Sequence, residues 1–285
     1  MSKAFKEIEV KIPGLMVRGL EAGTPDGLPV LALHGWLDNA ASFTPLCSCL
    51  PAGIRLIALD LPGHGHSDHL PIAGSYHFID WVTVVIEVAD ALGLEQFSLM
   101  GHSMGAGIST LVAGTFPERI RSVVFLEGLG PMAGRVADGP EDLREHILQG
   151  QRIRAKRMGV YPDKGAAVEM LKAATGMERS SASTLVERGL KEVEGGFFWR
   201  SDPRMRQRSA LRLTEEQVLQ YLNRITAPSI LIQATDGFPF DGGGMLKRKD
   251  TIPELVVQEI EGHHHVHMEK PEEIMKHIAS YLIRG

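Results

Sequence analysis

Cysteine is nearly absent from this chain: 285 residues hold two. Cys47 and Cys49 are too close together to build a disulfide framework, so both read as free thiols in a reducing, cytoplasmic setting. No apolar run approaches the roughly 18 residues that cross a bilayer, so no membrane span is expected. The opening MSKAFKEIEVKI carries charges where a signal peptide needs an apolar core. Long basic runs are missing too, and the formal net charge is -5. Nucleic-acid binding needs a basic face, so no nucleic-acid partner is expected. There is no internal repeat and no low-complexity segment. What remains is an ordinary globular composition, 44% hydrophobic and 23% charged. The chain is long enough to bury a sizeable core.

Short apolar runs punctuate the first half. Pro29–Leu33 (PVLAL), Arg55–Leu61 (RLIALDL), Phe97–Met100 (FSLM) and Val123–Leu126 (VVFL) each lead into a glycine-containing turn. Continuous apolar strands are buried on both faces, which points to a parallel sheet covered by helices. Asp80–Leu92 supplies one helix, with apolar residues at helical spacing and Gly93 as its stop signal. Alternating strands and helices predict a doubly wound α/β sheet. Residues 6–20 alternate apolar and polar and predict an antiparallel edge.

The pattern changes after Gly130. Residues 136–225 read as helices without strands, with a glycine–aromatic loop at 195-GGFFWRSDPR-204 and a capping box of Thr214 with Gln217. Ser229–Gln233 and Leu255–Ile260 resume the strand pattern. Pro271–Leu282 predicts a last helix with Ile274, Ile278, Tyr281 and Leu282 on one face. The expected organisation is a core of residues 1–135 and 226–285, interrupted by a helical insertion at 136–225.

The strongest chemical signal is 101-GHSMGAG-107, a G-x-S-x-G centred on Ser103. It follows the strand FSLM and precedes the helical run ISTLVAGTF, the context this motif needs. A sharp strand-to-helix turn requires small flanking residues, here Gly101 and Gly105, and lifts the hydroxyl above the strand end. The helix N-terminus favours negative charge developing there. A serine hydroxyl is a poor nucleophile until a base takes its proton, and attack on a carbonyl creates an oxyanion that needs fixed donors.

With 34-HGWLDN-39, 60-DLPGHGHSD-68 and a histidine-bearing turn near the end, the motif makes this chain resemble the α/β-hydrolase fold family over nearly its whole length. Its LHGWLDNA segment is most similar to the serine hydrolase-like proteins of that family. The resemblance implies a mostly parallel, doubly wound sheet of about eight strands, with a helical cap inserted after the sixth. It implies Ser103 as nucleophile, backbone N–H groups of Trp36 and Met104 as the oxyanion hole, and no cofactor. It also implies a general base in a G-x-H turn, seven residues before the proline of the final helix, which is His264 after Gly262. His267 then reads as a structural hydrogen-bonding residue, with His263 and His265 pointing away from Ser103. His34 reads as holding the loop it opens, and Asp60, His64 and His66 as loop residues. Epoxide hydrolases and haloalkane dehalogenases of this fold carry aspartate where Ser103 stands, so their chemistry is excluded.

The acid departs from the commonest family pattern. That pattern has an aspartate after the strand that follows the cap. Aligned from Pro228, its place here is Gly237, with Asp236 one residue early. Other members take the acid from the end of the sixth strand, where this chain has Glu127. Glu127 is the first choice, Asp236 the alternative and Asp241 a distant third. A carboxylate between an apolar strand and a glycine-rich turn needs a partner, either a histidine N–H or a cap arginine.

The stretch 261-EGHHHVHMEK-270 raises the question of a metal. Adjacent residues point in different directions, and H-E-x-x-H and paired cysteine ligands are missing, so no metal is expected. Residues 141–225 hold 12 Arg, 4 Lys and 12 acidic residues, a net of +4. That excess suits a carboxylate-bearing substrate or a solvated helical face. The cap methionines Met158, Met170, Met177 and Met205 suit an adaptable pocket or core filling. The expected partner is a small-molecule substrate, and the expected activity is cleavage of a small or medium ester. Carbon–carbon bond hydrolysis with the same residues, or a slowly catalytic ligand receptor, are the competing functions. The oligomeric state is left open.

Overall fold

The computed structural model describes residues 5–155, 159–239 and 242–283; Met158 and Asp241 fall outside these. In chain order the first strands are β1 (Lys6–Ile12), β2 (Leu15–Gly23), β3 (Leu28–Leu33), β4 (Ile54–Asp60), β5 (Phe97–His102) and β6 (Ile120–Leu126). A hairpin of β7 (Leu190–Val193) and β8 (Gly196–Trp199) stands apart, and β9 (Ser229–Asp236) and β10 (Val256–His263) complete the main sheet. The spatial order is β1-β2-β4-β3-β5-β6-β9-β10. β1–β2 and β2–β4 pair antiparallel, and all the other neighbours pair parallel. This is the expected sheet with its antiparallel edge.

The parallel strands are apolar throughout because helices cover both faces. Alternate residues face opposite sides: Leu31, Leu33, Leu99, Val123 and Phe125 join one cluster, while Val30, Ala32, Met100, Val124 and Leu126 join the other. The first cluster is closed by α2 (Asp80–Ala91), α3 (Met104–Thr115), α7 (Glu215–Asn223) and α8 (Gly242–Thr251). The second is closed by the short α1 (Thr44–Cys47) and by α10 (Pro271–Leu282), which presents Ile274, Ile278, Tyr281 and Leu282. Each such side chain contributes about 1.5–3 kcal/mol relative to leaving it exposed. The one-turn α9 (Val266–Glu269) carries the chain from β10 into α10.

Between β6 and β9 lie α4 (Gly139–Ala155), α5 (Lys164–Thr175) and α6 (Arg179–Gly189), followed by the hairpin and α7. Ala167, Val168, Ala182, Leu185, Val186 and Trp199 form a separate small core there, which Met268 joins from α9. Two features differ from the sequence expectation. The glycine–aromatic stretch is half of a β-hairpin rather than a loop, because Gly195 at φ 86 supplies the left-handed position that a tight turn needs. α7 falls within the segment expected to be cap, yet Val218 and Leu222 pack into the cluster beneath α3. Its capping box, Thr214 with Gln217, is formed.

One buried ion-pair chain ties the insertion to the sheet. Asp60, fully buried, accepts Arg188 Nε at 2.9 Å and Nη2 at 2.7 Å, and Arg188 also forks onto Glu7 at 2.6 and 3.0 Å. Asp60 accepts the Ala40 and His66 amides as well, so it shapes the loop as expected. Truncating Arg188 leaves a buried carboxylate without its cation. Arg188→Ala is expected to destabilise by about 3–5 kcal/mol in urea unfolding, whereas exposed Arg135→Ala changes little. A loss below about 1 kcal/mol for Arg188→Ala would show that the pair carries no stability.

Candidate active site

Ser103 sits at the turn from β5 into α3 with φ 51 and ψ -108, a strained backbone for a residue with a side chain. Flanking glycines make the turn possible. A Cβ on Gly101 would lie 2.3 Å from the Gly105 carbonyl oxygen, and one on Gly105 would lie 1.9 Å from the Leu33 carbonyl oxygen. The Ser103 amide donates to the Leu126 carbonyl at 2.9 Å, which ties the turn to β6.

Three side chains from distant segments meet here. His264 Nε2 lies 2.9 Å from Ser103 Oγ, and His264 Nδ1 lies 3.0 Å from Glu127 Oε2. Nδ1–H donating to the carboxylate leaves the Nε2 lone pair free to accept the serine proton. Glu127 is 1% exposed, and its other hydrogen bonds come from the Ala234 amide at 2.6 Å and the Phe238 amide at 3.0 Å. It too has a left-handed backbone, φ 53, as does Leu37 at φ 65. Three of the four described non-glycine residues with positive φ therefore surround this one site.

Asp236 is exposed at the end of β9, where its described side-chain partner is Thr235. Gly237, where the family pattern has its aspartate, explains the difference. A Cβ there would stand 2.2 Å from Glu127 Oε2. The Glu127 carboxylate, arriving from β6, fills the space that a side chain at 237 would take.

Met104 opens α3, so its N–H is one of the free donors of the first helical turn. Trp36 lies in the loop after His34-Gly35, half exposed, and its indole donates to the Met205 carbonyl at 2.8 Å. That bond pins the loop to the insertion. Phe238 stacks obliquely at 5.5 Å from the His264 ring. Part of the insertion's positive excess is answered from outside it, where Arg188 pairs with Asp60 and Glu7; Arg144, Arg204 and Arg208 pair with carboxylates of the insertion itself.

Four further histidines hold loops or neighbouring side chains around the site. His34 accepts the Leu61 amide at Nε2 and donates from Nδ1 to the Gly35 carbonyl, holding the loop it opens. His64 accepts the Leu37 amide. His267 bonds Ser42 Oγ at 2.7 Å. His265 turns from Ser103 towards Asp38, with Nε2 3.3 Å from Oδ2. Two residues of this neighbourhood were not singled out from sequence, Asp38 and His102, although both lie inside the motifs HGWLDN and GHSMGAG. His102 Nε2 donates to the His264 carbonyl at 2.9 Å, steadying the loop from below. Burial opposes ionisation of Asp38, but the neighbouring His265 outweighs it and holds its carboxyl well below the usual range.

Burial also lowers His34 and pushes His64 from 6.5 down to about 3, so both stay neutral in the fold. Below pH 6.5 the unfolded chain gains protons here that the folded chain refuses. Stability is therefore fully present above pH 6.5 and declines as pH falls towards 3. Each such site is expected to contribute up to about 1.4 kcal/mol per pH unit to the slope of unfolding free energy. Replacing His64 by glutamine is expected to flatten that slope, and an identical slope in the variant would contradict its burial as a neutral ring.

Sheet order, strand–serine–helix turn and the convergence on Ser103 together define the α/β-hydrolase class. The chain belongs to that family: the alpha/beta hydrolase fold family matches residues 29–271. A serine hydrolase-like protein of Danio rerio is 32% identical, over 99% of this chain and 90% of its own length. Serine hydrolase-like protein 2 of Homo sapiens is 28% identical, over 98% of this chain and 94% of its own. The crystal structure of a hypothetical protein from Pseudomonas aeruginosa superposes with a TM-score of 0.92 at 38% identity, covering 98% of this chain and 99% of that one. The protein is thus a serine hydrolase of the α/β-hydrolase superfamily. Among the described residues, no helix is long and apolar enough to cross a membrane.

Proposed function

We propose that this hydrolase is a carboxylesterase-type enzyme that cleaves a small or medium ester through an acyl-enzyme on Ser103. The observation that carries the proposal is the unbroken line from Ser103 Oγ through the His264 ring to Glu127, 2.9 and 3.0 Å long. His264 takes the serine proton as Oγ attacks the carbonyl, and Glu127 stabilises the imidazolium that forms. The oxyanion is received by the amides of Met104 and Trp36, fixed donors that need no reorganisation as charge develops. His264 then gives its proton to the departing alkoxide, and the alcohol leaves. Water, deprotonated by the same ring, releases the acid and restores Ser103. The Trp36 indole bonds the Met205 carbonyl of the insertion, so we assign the choice of acyl group to that segment.

A fluorophosphonate probe is expected to label the folded protein at Ser103, located by peptide mass spectrometry. A panel of p-nitrophenyl esters of graded acyl length is expected to show turnover that falls as chains lengthen. Absence of labelling beside a labelled control hydrolase would sink the proposal. Labelling without turnover of any ester would move the assignment to carbon–carbon bond cleavage or to ligand reception on the same residues.

A further inference from the structure

Beside the His264 ring, three buried side chains converge from three separate segments. His102 Nδ1 and His265 Nε2 lie 3.4 and 3.3 Å from the same oxygen, Asp38 Oδ2. All three ligand atoms fall within 4.8 Å of one another, and each residue is more than nine-tenths buried. The sequence expectation of no metal rested on the four histidines near the C-terminus. Of those only His265 enters this group; its companions come from the loop after β3 and from the end of β5.

The hydrogen count of His102 cannot be balanced by a neutral ring. Its Nε2 faces the His264 carbonyl oxygen at 2.9 Å, and its Nδ1 faces the Asp38 carboxylate. Both neighbours are acceptors, and a neutral imidazole has one N–H. With the proton on Nε2, where the short bond is, the Nδ1 lone pair points at an anionic oxygen. That contact is not aligned as a hydrogen bond, and Nδ1 is left buried without a partner. A cation between the two would turn the repulsion into two bonds.

Two of the three ligand separations suit a metal ion as they stand, and the two imidazole nitrogens, within 4.8 Å of each other, would draw together to share it. Bonds of about 2.0–2.2 Å to nitrogen and oxygen, tetrahedrally arranged, separate neighbouring ligand atoms by about 3.4 Å. The contacts to Asp38 Oδ2 are 3.3 and 3.4 Å. Room exists beside them because residue 35 is glycine: a Cβ there would lie 2.8 Å from His102 Nδ1 and 2.9 Å from Asp38 Oδ2. The other nitrogen of His102 donates to a backbone carbonyl, the arrangement that fixes tautomer and ring orientation in metal-ligating histidines.

We propose that Asp38, His102 and His265 bind one divalent transition-metal cation of the zinc class, in a site separate from Ser103. Two imidazoles and a carboxylate suit such borderline-soft ions better than Mg²⁺ or Ca²⁺, which prefer all-oxygen sites. Bound there, the ion grips His102, which in turn holds the main chain of His264. The site therefore couples metal occupancy to the rigidity of the loop that carries that ring.

The test uses the full chain, stripped with a chelator and titrated with Zn²⁺ against a chromogenic competitor. One ion per chain is expected, with a rise in the thermal midpoint. Asp38→Asn and His265→Gln are each expected to weaken binding by at least roughly tenfold. His263→Gln, on the exposed neighbour, is expected to leave it unchanged. X-ray absorption of the zinc-loaded wild type is expected to show nitrogen and oxygen neighbours with the scattering of two imidazoles, a result independent of whether any variant folds. No stoichiometric binding would overturn the proposal. So would binding that His263→Gln alone abolishes, or an absorption spectrum without two imidazoles, since both describe an adventitious surface ion.

Discussion

Glu127→Gly is expected to lower kcat by roughly 10⁴-fold with a much smaller change in KM, because the carboxylate acts on the ring orientation and charge needed in the transition state. Glycine suits the φ of 53 at this position, so the backbone is not the cause of the loss. Gly237→Asp is expected to be damaging for a different reason. Its Cβ meets Glu127 Oε2 at 2.2 Å, and two carboxylates would be forced into one space. Joining the two changes removes the clash and supplies an acid from the strand beside β6. The double variant is expected to recover about 10- to 100-fold over Glu127→Gly, a coupling that independent sites do not show. Thermal midpoints of all three variants separate folding from chemistry. Asp236→Asn is expected to be nearly silent. If it alone lost activity while Glu127→Gly kept it, the acid would be Asp236.

Ser103→Ala and His264→Ala are each expected to cost about 10⁶-fold in kcat on a p-nitrophenyl ester, and their combination no more than either alone. The reason is that the hydroxyl and the ring act as one nucleophile: a serine without its base is barely reactive, and the base without the serine has nothing to deprotonate. The residual rate comes from the fixed donors and from binding, which both variants keep. Single-turnover kinetics would measure it. Losses that multiply would mean that the two residues act independently, and the assigned unit would be wrong.

Much of the fold was legible because its signals are local. Strand and helix periods, the capping box at Thr214, the proline opening α10 and the glycines around Ser103 each act within a few residues. The hairpin at Leu190–Trp199 escaped because its strands are four residues long, too short for alternation to show, and because helices flank it. The packing of α7 on the main sheet was hidden for a related reason. An amphipathic helix announces that it has an apolar face, and Val218 and Leu222 carry no mark of which neighbour that face meets.

The site divides along the same line. Ser103 and the turn that lifts it are written in one heptapeptide, and His264 is fixed relative to the proline of the next helix. Which carboxylate approaches His264 was open between Glu127 and Asp236, since both end strands beside β10 or one strand away. The structure sets Glu127 against the ring, 137 residues distant in sequence. That pairing depends on sheet order, on a strained backbone at Glu127, and on the missing side chain at Gly237. The cluster of Asp38, His102 and His265 was less legible still. Each residue sits in a motif whose other members have clearer roles, and only the packing of the loop after β3 against β5 and the turn after β10 brings them together. The sequence by itself determined the elements, the family and the strand–serine–helix turn at Ser103, because these rest on short-range steric and hydrophobic patterns. The tertiary structure decided which charges meet, because meeting depends on strand order and on distances of a few ångströms between segments that are remote in the chain.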